Sequence, residues 1–314
     1  MTSPLDRSRL FYEQEVAPMI EALFPEYANK IAVGVAGEGS DCFGYDDLIS
    51  RDHDFGTGVC LWVNDATYAR IGAALSIAYN ELVDRHPGSA ALSARQRERR
   101  GVMTIRAFYS NVLGIDCDPD ARALTEEQWF ALDHTCLATA TNGAVFRDDL
   151  GQFTRFRNLL LAYYPDRIWK VRMINELHLY ASAVQVNYAR CITRGDIVAA
   201  EVCRLRGLTA AMELAFLLAR RYAPYYKWTY RALTELPGME ALAAHMKDLA
   251  TAVPDGSLWA GRAYDGDVLN TADPVITAAE AVAADIVQKL KEAGLTTETD
   301  PYLEVQCNAL QRLL

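Results

Sequence analysis

Apolar and polar positions follow two different periods along the chain, and the change from one to the other divides it. Ile31 to Ala36 is an unbroken apolar run stopped by Gly37 and Gly39, the pattern of a short buried strand. Asp54 to Val63, rich in β-branched and aromatic residues, predicts a second strand, and Val102 to Tyr109 predicts a third before Gly114. Between them Asp65 is placed to cap a helix from Ala66 to about Arg85, closed by Pro87-Gly88. Met1 to Phe24 predicts a helical lead-in.

After about Asp120 the spacing becomes helical almost without interruption. Thr125 and Gln128 form a capping-box pattern, and Ile168 to Asn187 and Asp196 to Tyr222 are long amphipathic stretches, the second ended by Pro224. Thr277 with Glu280 predicts the cap of another helix, running to Gly294. The pattern predicts an α+β fold in which a small mixed-sheet domain, residues 1–118, precedes an all-helical bundle domain, residues 119–314, joined near Asp116 to Arg122.

Composition narrows the function classes. Half of the 314 residues are apolar, enough to bury a full core. The net charge is −10, and the basic residues are scattered among acids, which excludes a phosphate-tracking stripe for long nucleic acid and argues against a polymerase. Apolar stretches such as Ala210 to Ala219 fall short of the ~20 residues of a membrane span. Asp6, Arg7 and Arg9 stand where a signal peptide has its apolar core, so a cytoplasmic protein is expected. The seven cysteines are scattered through apolar segments with no zinc-knuckle spacing, as expected of free thiols in a reducing compartment.

The chemistry concentrates between Gly34 and Gly56. Glycine at 39 lets backbone amides approach a phosphate, and Ser40 adds a hydroxyl donor directly after an apolar strand. Asp52 and Asp54 are two apart and lead into a strand, so both carboxylates fall on one side. Two like charges so placed repel unless a cation lies between them, and magnesium is the natural occupant. Such carboxylates, holding metal, would bind a triphosphate and stabilise pyrophosphate as it leaves in an in-line displacement. Asp46 and Asp47 either stand near the metal or cap a turn, whereas His53 would face away from the aspartates.

These residues also carry a resemblance. Gly39-Ser40, Gly44, Asp46-Asp47, Ser50 and Asp52-His53-Asp54 resemble the signature of the domain of unknown function 4037 family, a bacterial branch of the DNA polymerase β-like nucleotidyltransferases. Leu137-Ala138-Thr139, Asn142-Gly143, Val145-Phe146 and Asp148 resemble its next block, and Arg157 with Tyr163-Tyr164-Pro165 the one after. Tyr188-Ala189-Arg190-Cys191 and Ala223 to Trp228 resemble its helical domain. More distantly, the chain is similar to aminoglycoside and lincosamide nucleotidyltransferases, which hold substrate between a catalytic sheet domain and a helical bundle. The resemblance implies a nucleotidyltransferase domain and transfer of an NMP, expected to be AMP from ATP, to a hydroxyl of a small molecule or protein. It implies Asp52 and Asp54 as catalytic metal ligands for Mg2+, and Gly39, Ser40, Lys227 and Tyr225 as nucleotide-binding residues. The alternative is a nucleotide-binding or regulatory module with reduced catalysis.

The superfamily commonly places a third carboxylate on a later strand. Val102 to Tyr109 holds Arg106 and no acid, and Glu98 and Asp116 flank it. Lys227, amid Tyr225, Tyr226 and Trp228, either reaches the triphosphate or lies over an aromatic cluster with its ammonium in water. Glu176 is a possible base or a solvated helix residue, and Lys170 and Arg172 are weaker candidates. Asn142 and Asp148, bracketing Gly143, predict a tight turn. Asp54-Phe55-Gly56 and His53-Asp54 match kinase and phosphohydrolase motifs without the partners those folds require. His86, His134, His178 and His245 have no ligand spacing.

Overall fold

The computed structural model describes residues 3–47, 49, 56–89, 97, 99–261, 264–266 and 268–314. The fold class is α+β, and the chain divides into two compact units, Met1–Tyr163 and Tyr164–Leu314.

The first unit is built on a four-stranded mixed sheet. Strands β1 (Ala32–Val35), β2 (Cys60–Val63), β3 (Gly101–Thr104) and β4 (Ala144–Arg147) lie in the order β3-β2-β1-β4. β1 is antiparallel to both neighbours, with Gly34 opposite Cys60 on one side and Val145 on the other, while β2 and β3 are parallel. Two strand-to-strand expectations change. β4 falls inside the stretch expected to be helical, and because it pairs with β1 the sheet-bearing unit continues past residue 118. The third strand stops at Thr104, whose hydroxyl accepts from Ala107 N at 3.0 Å and starts a helix, Ile105–Leu113. The apolar residues Ile105, Phe108 and Tyr109 that suggested a strand share one buried helix face.

Alternation along the strands sends side chains to two layers. Val33, Val35, Leu61 and Val63 pack with Phe11, Ile20, Leu75 and Tyr79 from the helices α1 (Pro4–Phe11), α2 (Ala17–Leu23) and α4 (Asp65–Arg85), α3 being the short helix Ser40–Phe43. Trp62, on the opposite face, stacks on Phe153 at 3.8 Å and meets Phe108 edge-on at 5.4 Å, from α5 (Ile105–Leu113) and α8 (Gln152–Leu161). Between those two run α6 (Glu126–Ala131), opened by the expected Thr125–Gln128 capping box, and α7 (His134–Thr141). The cap of α4 is Asn64, not Asp65: its side chain accepts from Thr67 N at 2.8 Å.

The second unit is helical: α9 (Asp166–Tyr180), α10 (Tyr188–Thr193), α11 (Ile197–Leu218), α12 (Tyr226–Thr234), α13 (Glu240–Thr251), α14 (Pro274–Glu292) and α15 (Leu303–Gln311). A π-helical segment, Ala181–Asn187, joins α9 to α10. α11 stops at Leu218, ahead of Pro224, and α14 is capped by Asp273 rather than Thr277. The buried Asp273 carboxylate also accepts from Tyr188 Oη at 3.0 Å and Trp259 Nε1 at 2.7 Å. Among the described residues no helix is long and apolar enough to cross a membrane.

Candidate active site

β1 delivers the chain to a turn, Ala36 to Ser40, at one end of the sheet. Gly39 has φ 131°, a conformation rarely adopted by residues with a Cβ, and a Cβ there would stand 2.3 Å from Asp41 Oδ1. The turn opens α3, and no side chain caps its N-terminus. Ser40 Oγ donates to Asp46 Oδ1 at 2.6 Å, which places Asp46 beside the serine. Asp47 accepts from Ile49 N at 2.9 Å, a turn contact.

The turn is held from two sides by residues distant in sequence. Asn142 uses both ends of its amide: Oδ1 accepts from Gly37 N at 2.9 Å, and Nδ2 donates to Gly37 O at 2.8 Å. Gly143 N donates to Cys42 O at 2.9 Å, and a Cβ on Gly143 would lie 1.9 Å from Val35 O, so only glycine fits this approach. Arg157 Nη2 donates to Thr141 O and to Asn142 O, fixing the end of α7 from which Asn142 projects. Burial lowers the Arg157 pKa. Asn142 is therefore a clamp on the glycine turn, which its reading as a simple turn residue missed. Asp148 does shape a turn: its carboxylate accepts from Thr154 N at 2.7 Å.

On the other side stands Arg100, with 6% of its side chain exposed. Its guanidinium donates to Asp41 Oδ2 at 2.7 Å, Ala36 O at 3.3 Å and Cys42 Sγ at 3.3 Å. Burial opposes its charge, yet the surrounding Cys42 and Asp41 hold its pKa well above the ordinary value. Burial pushes the Cys42 thiol up to about 12, so at neutral pH that sulfur is protonated and Asp41 is the countercharge. Sequence reading missed Arg100 and Asp41, and two arginines in a row at 99–100 facing a glycine turn were the available signal. Arg99 pairs with Glu38 in that turn.

Asp52 and Asp54, with Ser50 and His53, lie outside the described residues, as does Glu98. The described stretch Gly56 to Val59 enters β2 at the end of the sheet where β1 leaves, because the two strands are antiparallel. It is fixed there: Thr57 N donates to Gly88 O at 2.8 Å and Val59 N to Tyr79 Oη at 2.9 Å. Asp116 is at the other end. It meets Arg106 at 3.4 Å, and Asp65 and Asp118 meet the same guanidinium at 3.3 and 3.6 Å. β3 runs parallel to β2, so Arg106, just past its C-terminal end, is a sheet length from Ser40. Asp116 thus does not supply a third acid beside the glycine turn. Among the described residues no three His, Cys, Asp or Glu side chains gather to hold a metal.

In the second unit, Lys227 is exposed, with Nζ 5.6 Å from the Tyr225 ring centroid and 5.4 Å from that of Trp228. Trp228 Nε1 donates to Tyr225 Oη at 2.7 Å, tying the aromatic pair together. On α9, Arg172 covers the Tyr164 ring at 4.7 Å, while Lys170 pairs with Asp166 at 2.8 Å. Burial raises the Glu176 carboxyl above the ordinary range, against a lowering by Arg172. His86, His178 and His245 each meet one carboxylate, those of Glu15, Glu304 and Asp285. All seven cysteines are free; Cys42, Cys60, Cys117 and Cys307 are buried and the other three half-buried.

No curated protein and no solved structure matches the chain. Residues 129–229, about a third of the chain and including Asn142, Gly143 and Arg157 of the clamp as well as Tyr225 and Lys227, match the model of the Domain of unknown function (DUF4037) family.

Proposed function

We propose that the chain is a magnesium-dependent nucleotidyltransferase that moves AMP from ATP to a hydroxyl of a small molecule or protein. The observation that carries this reading is the clamped turn: Gly37 to Ser40, held by Asn142 on one side and by Arg100 and Asp41 on the other. A turn whose amides and serine hydroxyl are fixed in advance loses little freedom when it receives a triphosphate. Asp52 and Asp54, which lie outside the described residues, follow in sequence, and their carboxylates would supply the oxygen ligands that magnesium prefers. Magnesium bound there supplies positive charge to the triphosphate and to the departing pyrophosphate. Ser40 Oγ would turn its hydrogen bond from Asp46 to a phosphate oxygen, and the clamp keeps the serine backbone in place.

A second reading, nucleotide binding without turnover, draws on Asp116, which is paired with Arg106 at the far end of the sheet instead of supplying a third acid. The two readings separate in one experiment. The protein is incubated with each labelled triphosphate, magnesium and cell extract, and pyrophosphate is measured. Release that disappears in Asp52→Ala supports transfer; measurable binding without release by any nucleotide sinks it in favour of the second reading.

A further inference from the structure

Beside the glycine turn is a cleft of about 290 Å³, just below the range of roughly 300–1,000 Å³ found for small-ligand sites. Its size admits one flat ring system with part of a sugar, not a whole triphosphate. Its floor is apolar, made by Met103 of β3 with Phe108 and Val112 of α5, and Gly37 forms the wall toward the turn. A Cβ on Gly37 would stand 3.5 Å from Phe108 Cε2, so the glycine and the ring adjoin. Asn111 is exposed and carries the one side-chain amide among the described residues of the lining. The ion pair of Glu38 and Arg99 stands at the side nearest Gly39.

We propose that this cleft holds the base of the nucleotide, and that the base is adenine. The proposal rests on the reading of the clamped turn as the triphosphate site. An aromatic and aliphatic floor suits a heteroaromatic ring, which stacks on a side-chain ring whatever its substituents. Selection then falls to Asn111. An amide offers a donor and an acceptor side by side, the complement of adenine's amino group and adjacent ring nitrogen, whereas guanine presents two acceptors on the corresponding edge. Arg99 and Glu38, an ion pair directly before Gly39, line the cleft where the chain continues to Ser40.

The test uses the full chain and two readouts. Wild-type protein is irradiated with 8-azidoadenosine triphosphate and magnesium, and the labelled peptide is mapped. Attachment within residues 99–112 supports the cleft, and attachment confined to other peptides overturns it. Calorimetric titrations of magnesium with ATP or GTP then compare wild type, Asn111→Asp, Val112→Trp and Ser40→Ala, with thermal melts to confirm folding. Wild type is expected to prefer ATP, Asn111→Asp to lose about tenfold of that preference, and Val112→Trp to weaken both nucleotides by filling the floor. If Ser40→Ala weakens binding while Asn111→Asp and Val112→Trp match wild type, the cleft proposal fails and the triphosphate reading stands. If Asn111→Asp and Val112→Trp weaken ATP while Ser40→Ala does not, the cleft is a nucleoside site and the triphosphate reading fails. Absence of binding by wild type to either nucleotide overturns both.

Discussion

Two arginines stand at opposite ends of the same sheet, and each meets aspartate. Arg106 has more partners, with Asp65, Asp116 and Asp118 all within 3.6 Å, but 41% of its side chain is exposed and water screens every pair. Arg100 has one carboxylate, Asp41, yet it is buried against the backbone of Ala36 and the thiol of Cys42. Burial, not the number of partners, decides what each contributes. At the Arg106 end the charges decorate a surface. At the Arg100 end one ion pair and one asparagine fix the turn that presents Ser40, and removing Asp41 would leave the buried Arg100 charge uncompensated.

The sharpest way to break this contrast is at glycine. Gly143→Ala would push a Cβ to 1.9 Å from Val35 O, whereas Gly114, also left-handed at the end of α5, faces open space. Gly143→Ala is expected to cost about 4 kcal/mol or more in urea denaturation, at the extreme of single substitutions. Gly114→Ala should cost only about 1–2 kcal/mol for its backbone conformation. Equal losses would show that the turn is not clamped as described. Next comes Arg100→Met, expected to cost about 1.5–3 kcal/mol because the half-buried Asp41 carboxylate loses its charged partner and Ala36 O loses a donor. Adding Asp41→Asn should recover part of that loss, and Arg106→Met should leave the denaturation midpoint unchanged.

Asn142→Leu removes both hydrogen bonds to Gly37 and is expected to cost about 1–3 kcal/mol. A neutral result would assign the clamp to Gly143 and Arg100 alone. The smallest effect extends the burial rule to Glu176. Burial raises its carboxyl, so the folded chain holds that proton more tightly than the unfolded chain. Its contribution is therefore favourable at low pH and is lost as pH rises from the ordinary carboxylate range through the raised value. Glu176→Gln keeps the neutral form and should flatten that part of the stability profile; an unchanged slope would contradict the assignment.

What was legible in the sequence followed from local signals. The apolar run before Gly37, the Thr125–Gln128 capping box and the long helical stretches each depend on neighbours within a few residues. The strand expected over Val102 to Tyr109 was half right, because Phe108 and Tyr109 favour strands, while their spacing from Ile105 is that of a helix face and Thr104 supplies the cap. β4 escaped notice because it is four residues long and lies between helices. Arg100, and the clamping role of Asn142, escaped notice for another reason. Their partners, Gly37 and Asp41, are far along the chain, and the pairing of β1 with β4 and of β1 with β2 and β2 with β3 brings them together. Gly39 and Ser40 were singled out from the chemistry of the motif; what holds their turn was not legible there.

The most direct test of the account asks which end of the sheet takes the nucleotide. Magnesium and ATP are titrated into wild type, Ser40→Ala, Asp52→Ala and Arg106→Ala, and the affinities compared. The account predicts at least tenfold weaker binding for Ser40→Ala and Asp52→Ala and wild-type affinity for Arg106→Ala. Wild-type affinity in Ser40→Ala and Asp52→Ala, or a loss confined to Arg106→Ala, would contradict it.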